Sequence, residues 1–295
     1  PEFEKEGRIY KKRSRDMKAL TAIDRKVKAG GALSKEELSF LYEMDSSIEG
    51  FGYNPHDPRI TELRSKRNPE EDMLIIFDCT KEQIAKSMRD IRPDTKAYVG
   101  KLEPGIFDLI TRYNMEQVYT SFPEGKIRMQ KLEIGGKSKQ QLVAEMKQQG
   151  INIYEYAQQI IDSPDFTTLP RKNDIDLVRL KVGDLGLTGT PTTDQVYAKA
   201  NELGLDLCPA EVGPHLRLKD TNQPLGEWYF IGMKQIVVRG GYPSVFGLGR
   251  VGDGRWLGYG WAWPGSGWVP GGGCVFSLRK PSPQNFSLLD RIFKR

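Results

Sequence analysis

The chain has 295 residues and 38% hydrophobic content, enough for a sizeable core and for two domains. Its formal charge of +5 arises from 44 basic against 39 acidic residues, a near balance that reads as an ordinary solvated surface and makes nucleic acid a minor alternative as partner. Three widely spaced cysteines, Cys79, Cys208 and Cys274, form neither a disulfide framework nor a metal-type pair, so reduced thiols and a cytoplasmic setting are expected.

Pro1-Glu2-Phe3 reads as a cloning junction, which leaves open a leader before it, and no apolar stretch approaches membrane-spanning length. The basic run Lys11-Lys12-Arg13-Ser14-Arg15 reads as the solvated start of a helix, and residues 1–13 are set apart as junction and basic segment. From Ser14 to Asn68 the chain reads as helical. Leu20, Ile23 and Val27 share a face, and Ser34 with Glu37 forms a capping box ahead of Leu38, Leu41 and Tyr42. Asn54-Pro55-His56-Asp57-Pro58 is a turn, with a short helix from Arg59. The apolar run Met73–Phe77 predicts a buried strand, and Glu116–Thr120 and Lys126–Ile134 predict two more. Gly135-Gly136 ends the last of these. Ser138 caps a helix over Lys139–Gln149, Gly150 closes it, and a second helix covers Ile153–Asp162. Residues 14–170 are therefore expected to be an α+β domain of no assignable function, with a boundary over Ser163–Asn173.

After Asp174 the texture changes. A strand over Asp176–Val182 and a helix over Thr193–Leu203, capped by Thr190 or Thr192, precede many short strands. These are Leu205–Cys208, Leu216–Leu218, Trp228–Val238, Val245–Leu248 and Val275–Leu278. Residues 174–280 are expected to form one loop-rich α+β domain, and residues 281–295 an amphipathic tail with Phe286, Leu289 and Phe293 available for docking.

All five tryptophans lie between Trp228 and Trp268, among a crowd of glycines, and Gln235–Arg279 contains no Lys or Glu. Two readings compete. Tryptophans can fill a small core while glycines turn the chain. Alternatively, rigid aromatic and Arg side chains set among Gly and Ser form a binding surface, from which Lys and Glu are depleted. The spacing divides the residues between the two: Trp256, Leu257, Trp261, Trp268, Phe276 and Leu278 as scaffold, Tyr259 and Trp263 as contacts.

Three runs carry a resemblance: Gly241-Tyr-Pro-Ser-Val-Phe-Gly-Leu-Gly-Arg250, Gly254-Arg-Trp-Leu-Gly-Tyr-Gly-Trp-Ala262 and Cys274-Val-Phe-Ser-Leu-Arg-Lys280. Together with a weaker match over Leu205–Met233, including Cys208-Pro-Ala-Glu-Val-Gly-Pro214, they resemble the C-terminal region of the variable proteins of bacterial diversity-generating retroelements. The resemblance covers about the last third of the chain. It implies a C-type-lectin-like domain whose final segment is rewritten by adenine-directed mutagenesis and displays a hypervariable ligand-binding, protein–protein interaction surface. The positions implied to vary are Gly247, Gly249, Gly258, Tyr259, Gly260, Ser266, Gly267, Val269, Gly271, Gly272 and Gly273. Tyr242, Ser244, Arg255 and Trp263 complete the implied ligand-binding set.

Chemistry finds little support in the residues. His56 sits in its Pro-flanked turn and His215 at the start of a strand, both read as turn or surface residues, and Cys274 suits a strand start better than a nucleophile. Gly247-x-Gly249-x-x-Gly252 fits a nucleotide-loop pattern without the βαβ context it needs. No paired carboxylates or metal-ligand cluster stand out, so neither catalytic nor metal residues nor a cofactor are expected. The sequence thus predicts an α+β, non-enzymatic binding protein for an unknown protein or other macromolecular ligand. Alternatives are an enzyme related to sulfatase-modifying oxidases, which share the broad fold, and a single-stranded nucleic-acid-binding module.

Overall fold

The computed structural model describes residues 2–51, 57–252 and 254–280, with the backbone alone for residues 2–6, 8 and 9. The chain divides into two compact units, Pro1–Ile84 and Ala85–Arg295.

The first unit is helical: α1 (Glu2–Lys28), α2 (Lys35–Leu41), α3 (Pro58–Ser65) and α4 (Pro69–Ile76). Each short helix starts where a side chain accepts an otherwise orphaned amide. Ser34 and Glu37 close the predicted capping box of α2, Asp57 accepts from Arg59 N–H, and Asn68 accepts from Glu70 N–H. Leu20, Ile23, Leu38, Leu41, Ile60, Leu63, Met73 and Ile76 are buried. Among them the buried Asp72 takes both prongs of Arg67 at 2.6 Å and the Tyr42 hydroxyl at 2.8 Å, a charged group satisfied on every side. Burial, then that hydrogen bond, pushes the Tyr42 hydroxyl well above its usual pKa.

Two expectations are corrected here. Helix α1 runs unbroken through residue 13, so no separate basic segment precedes it. Met73–Phe77 is the end of α4 and its cap rather than a strand, because Asn68-Pro69 and three acidic residues in the first turn start a helix upstream. Residues 52–56 of the predicted turn, including His56, lie outside the described residues, as does the predicted tail 281–295.

The second unit is built on one mixed sheet. After β1 (Ile84–Ala85) at the junction come β2 (Ala97–Val99), α5 (Ile106–Arg112), β3 (Gln117–Tyr119), β4 (Lys126–Ile134), α6 (Lys139–Gln148), β5 (Asn152–Ile153) and α7 (Glu155–Asp162). Then follow β6 (Asn173–Lys181), α8 (Thr193–Leu203), β7 (Leu205–Asp206), α9 (Val212–Lys219), β8 (Trp228–Ile231), β9 (Ile236–Val238), β10 (Tyr242–Val251), β11 (Gly254–Trp261) and β12 (Gly273–Leu278). The strand order is β1-β2-β3-β4-β6-β12-β8-β10-β11-β5, with β7 on β12 and β9 on β10.

Strands at the centre are apolar on both faces, because each face is covered. Along β12, Val275 faces the core shared with α6, α7 and α9, while Cys274 and Phe276 face the core shared with α5 and α8. On β6, Leu177 and Val178 divide in the same way.

The expected domain boundary at residues 163–173 does not divide the chain. Strand β4 pairs with β6 from Arg128↔Arg179 to Ile134↔Asn173, and β5 pairs with β11. Leu132, Leu142, Met146, Ile160 and Phe166 share a core with Val212, Leu216, Phe246 and Leu257. Glu211 fastens the same region: its carboxylate accepts the amides of Gly135 at 3.1 Å and Leu169 at 3.0 Å. Leu216–Leu218, predicted as a strand, lies in α9, where Pro214 is tolerated within the first turn. Strand β11 carries no clear strand signal in the sequence, since its glycines hide the alternation of its faces.

A chain beginning at Ala85 should therefore show a cooperative thermal transition by circular dichroism. One beginning at Asn173 should lack it, having lost β4, α6 and α7 from the shared core.

Candidate functional site

The tryptophan-rich segment resolves into a packed layer and an exposed band. In the antiparallel register, Gly247 lies opposite Gly258 on one side and Phe230 on the other, and Gly249 lies opposite Trp256 and Trp228. The Trp228 and Phe230 rings cover these glycines. A Cβ added at Gly249 would stand 2.2 Å from the Trp228 ring, and one at Gly258 2.7 Å from it. Additions at Gly247 and Gly260 would stand 2.9 and 2.6 Å from the Phe230 ring. The four glycines are thus a trough cut to hold two rings, and the absence of side chains is what creates the space.

Trp268 backs this layer from the buried side. Its ring meets Phe230 edge-on at 5.7 Å, and its Nε1 donates to Thr193 Oγ1 at 2.9 Å. The approach to Trp228 is held by the buried Arg217, which donates to Gln223 Oε1, to the Gly249 carbonyl at 3.2 Å and to the Asp220 carbonyl. Gln223 in turn donates to the carbonyls of Glu227 and Leu248.

The exposed band wraps the edge of β11. Tyr259 and Trp261 alternate with Gly258 and Gly260, so their rings leave the sheet on the side opposite the trough. Tyr259 meets Trp261 at 4.8 Å, and Tyr156 touches both at 4.8 and 5.1 Å. Tyr242 meets Trp261 at a tilt with centroids 4.8 Å apart, and Trp263 edge-on at 6.2 Å. On the other side of the edge, Tyr154 lies 4.3 Å from Trp256 and 6.3 Å from Tyr259. Tyr154, Tyr242, Trp261 and Trp263 are 41, 43, 41 and 45% exposed. An aromatic patch of this continuity, with Tyr242, Tyr259 and Trp261 on folded strands, is preorganised contact area.

The sequence-derived positions therefore separate. Tyr242, Trp263 and the half-buried Tyr259 belong to the band, and Val269 is exposed beyond it. Gly271 faces open space, and Ser266 is half-buried. Gly247, Gly249, Gly258 and Gly260 are corrected: their free volume is occupied by rings, so they are packing positions rather than outward contacts. A Cβ at Gly273 would stand 2.8 Å from Tyr229 and one at the exposed Gly267 2.6 Å from the Thr190 methyl, while one at Gly272 would stand 3.1 Å from the Val269 carbonyl. Ser244 is buried, its hydroxyl donating to the Tyr242 carbonyl at 3.1 Å. Arg255 is half-buried and reaches the Gln149 carbonyl at 3.3 Å, and burial pulls its guanidinium below the usual range.

Trp261, assigned to the scaffold, is exposed instead, because it stands at the strand end beyond the core residue Leu257. The band also takes in Tyr154 and Tyr156, which nothing in the sequence pattern marks. They lie about a hundred residues upstream, and the parallel pairing of β5 with β11 brings them in.

Groups with chemical potential lie elsewhere. His215 is buried in α9 rather than in a turn or on the surface, with Nε2 3.5 Å from Glu211 Oε2 and no hydrogen-bond partner. Cys208 and Cys274 are free thiols in the core, and burial pushes both well above the usual thiol range. Among the described residues no three His, Cys, Asp or Glu side chains could hold a metal ion, and no helix is long and apolar enough to cross a membrane. No family model, curated protein or solved structure matches the chain.

Gly249→Ala should destabilise the protein by about 1–3 kcal/mol, since the methyl must displace the Trp228 ring. Trp263→Ala should cost less than about 1 kcal/mol. In a double-mutant cycle, Trp228→Ala with Gly249→Ala should lose less than the two single changes together, as urea unfolding would reveal.

Proposed function

We propose that the second unit is a recognition module whose C-terminal part is C-type-lectin-like, and that it resembles the variable proteins of diversity-generating retroelements. The observation that carries the reading is the aromatic band Tyr154, Tyr242, Tyr259, Trp261 and Trp263, in which Tyr242, Tyr259 and Trp261 stand on β10 and β11 while Tyr154 directly follows β5 and Trp263 lies just past the end of β11. Binding surfaces favour such rings, because each presents large area with few rotatable bonds. Rings near the centre of an interface contribute most of its affinity, roughly 2 kcal/mol or more apiece.

The topology from β6 onward supports the lectin-like reading. The first and last strands of that segment, β6 and β12, pair antiparallel, with α8 and α9 between them in sequence. The hypervariable reading is narrower than the sequence alone implied. Diversity that spares the fold must fall where a side chain has room. Gly271, Val269, Trp263 and Tyr242 offer it, and the ring-filled trough does not.

Two measurements test the proposal. The gene should be followed by a near-copy of its last coding segment differing at adenines, beside a reverse transcriptase gene; a locus with neither removes the diversification. Screened on protein and glycan arrays, the chain should bind targets that Trp261→Ala and Trp263→Ala each weaken at least about 10-fold at unchanged melting temperature. Targets indifferent to both changes would move the binding face elsewhere.

A further inference from the structure

The whole formal charge of +5 resides in one element. Helix α1 carries ten basic and five acidic residues, and the rest of the chain is balanced. Within α1 the cations sort by face. Lys12 and Arg13 turn toward acidic partners, with Lys12 Nζ 2.6 Å from the buried Asp16 and both residues within 4 Å of Glu49. Lys11, Arg15, Lys18 and Arg25 occupy the opposite, exposed face at spacings of four, three and seven residues, which hold one line along a helix. The line spans about 21 Å at 1.5 Å per residue. Lys11, Lys18 and Arg25 have no carboxylate partner among the described residues, and Arg15 has only a 3.7 Å contact with Asp16 from a side chain that is 75% exposed.

A solvated helix explains part of this. Arg25 lies in the last turn, where the helix dipole favours a cation, but Lys11, Arg15 and Lys18 are in the middle, where it does not. At the same end of the line stand two exposed rings, Tyr10 at 64% and Phe51 at 51%, with centroids 5.6 Å apart. Tyr10, Lys11, Ser14, Arg15 and Lys18 line one shallow depression.

We propose that this face of α1 binds single-stranded nucleic acid, its cations tracking the phosphates and Tyr10 with Phe51 stacking on bases. A line of unpaired cations attracts any polyanion, but accessible rings beside it select a strand whose bases are unstacked. An anionic membrane fits less well. A membrane-surface helix sets an apolar face against the lipid, whereas the apolar residues Leu20 and Ile23 of α1 are buried and the line is flanked by Ser14 and Ala22. The site lies within the first unit and does not rest on the aromatic band of the second.

The test is fluorescence anisotropy with the full chain and a labelled oligothymidylate or oligouridylate of about 20 nucleotides, between about 50 and 200 mM salt. Four phosphate contacts give a slope of log K against log salt near −3, at about −0.7 per contact. Lys11→Gln/Arg15→Gln/Lys18→Gln should shrink the slope by about 2. Tyr10→Ala and Phe51→Ala should each weaken binding about 5-fold or more with the slope kept. Lys66→Gln/Lys172→Gln removes two charges elsewhere and should change neither quantity. The proposal is overturned by no binding at the lowest salt, by a triple variant that binds like the parent, or by equal affinity for a duplex of the same length. Tighter binding to phosphatidylserine vesicles than to either oligonucleotide also overturns it.

Discussion

Two aromatic rings seated on bare backbone hold the distal part of the sheet together. Trp228 and Phe230 project from β8 across β10 and β11, and they reach that far only because Gly247, Gly249, Gly258 and Gly260 present no side chains. The unusual composition of this region follows from the packing. Large rings demand an equally large deficit of volume opposite them, and glycine supplies it without a positive φ at any of the four positions. Arg217 and Gln223 then fix the backbone leading into Trp228, so the rings enter at one angle.

With that layer closed, the remaining aromatics have nowhere to go but outward. Tyr259 and Trp261 leave β11 on the other side, and Tyr242 and Trp263 gather around Trp261. Tyr154 and Tyr156 add rings from the start of α7, carried there by the pairing of β5 with β11. The band therefore draws on two distant stretches of sequence. Its rigidity comes from the sheet, and its reach comes from residues well upstream of the Trp-rich segment.

The sequence disclosed local structure well and long-range structure poorly. The capping box at Ser34 and Glu37, the cap at Ser138 and the strand over Lys126–Ile134 are written in neighbouring residues and were legible as such. Met73–Phe77 misled because five apolar residues have no period, while the deciding signal, Asn68-Pro69 with the acidic turn after it, lay upstream. The boundary near residue 170 was drawn where composition changes. Strand pairing ignores composition, and β4 and β6 join across that point. The trough glycines are illegible in the sequence for a related reason: a residue with no side chain leaves no mark of the direction it faces. Trp261 could not be sorted from Trp268 by spacing, since only the register shows that one stands at a strand end and the other behind Phe230.

The seating of ring on glycine also ties the evolutionary fates of distant positions together. A lineage that exchanged Trp228 for a smaller side chain would open a void over Gly249 and Gly258, and selection would then tolerate or favour a methyl or larger group there. The reverse order carries a penalty, because bulk added to the trough while the indole remains must displace the ring. Substitutions at these sites should therefore favour one historical order, ring first and glycine afterwards.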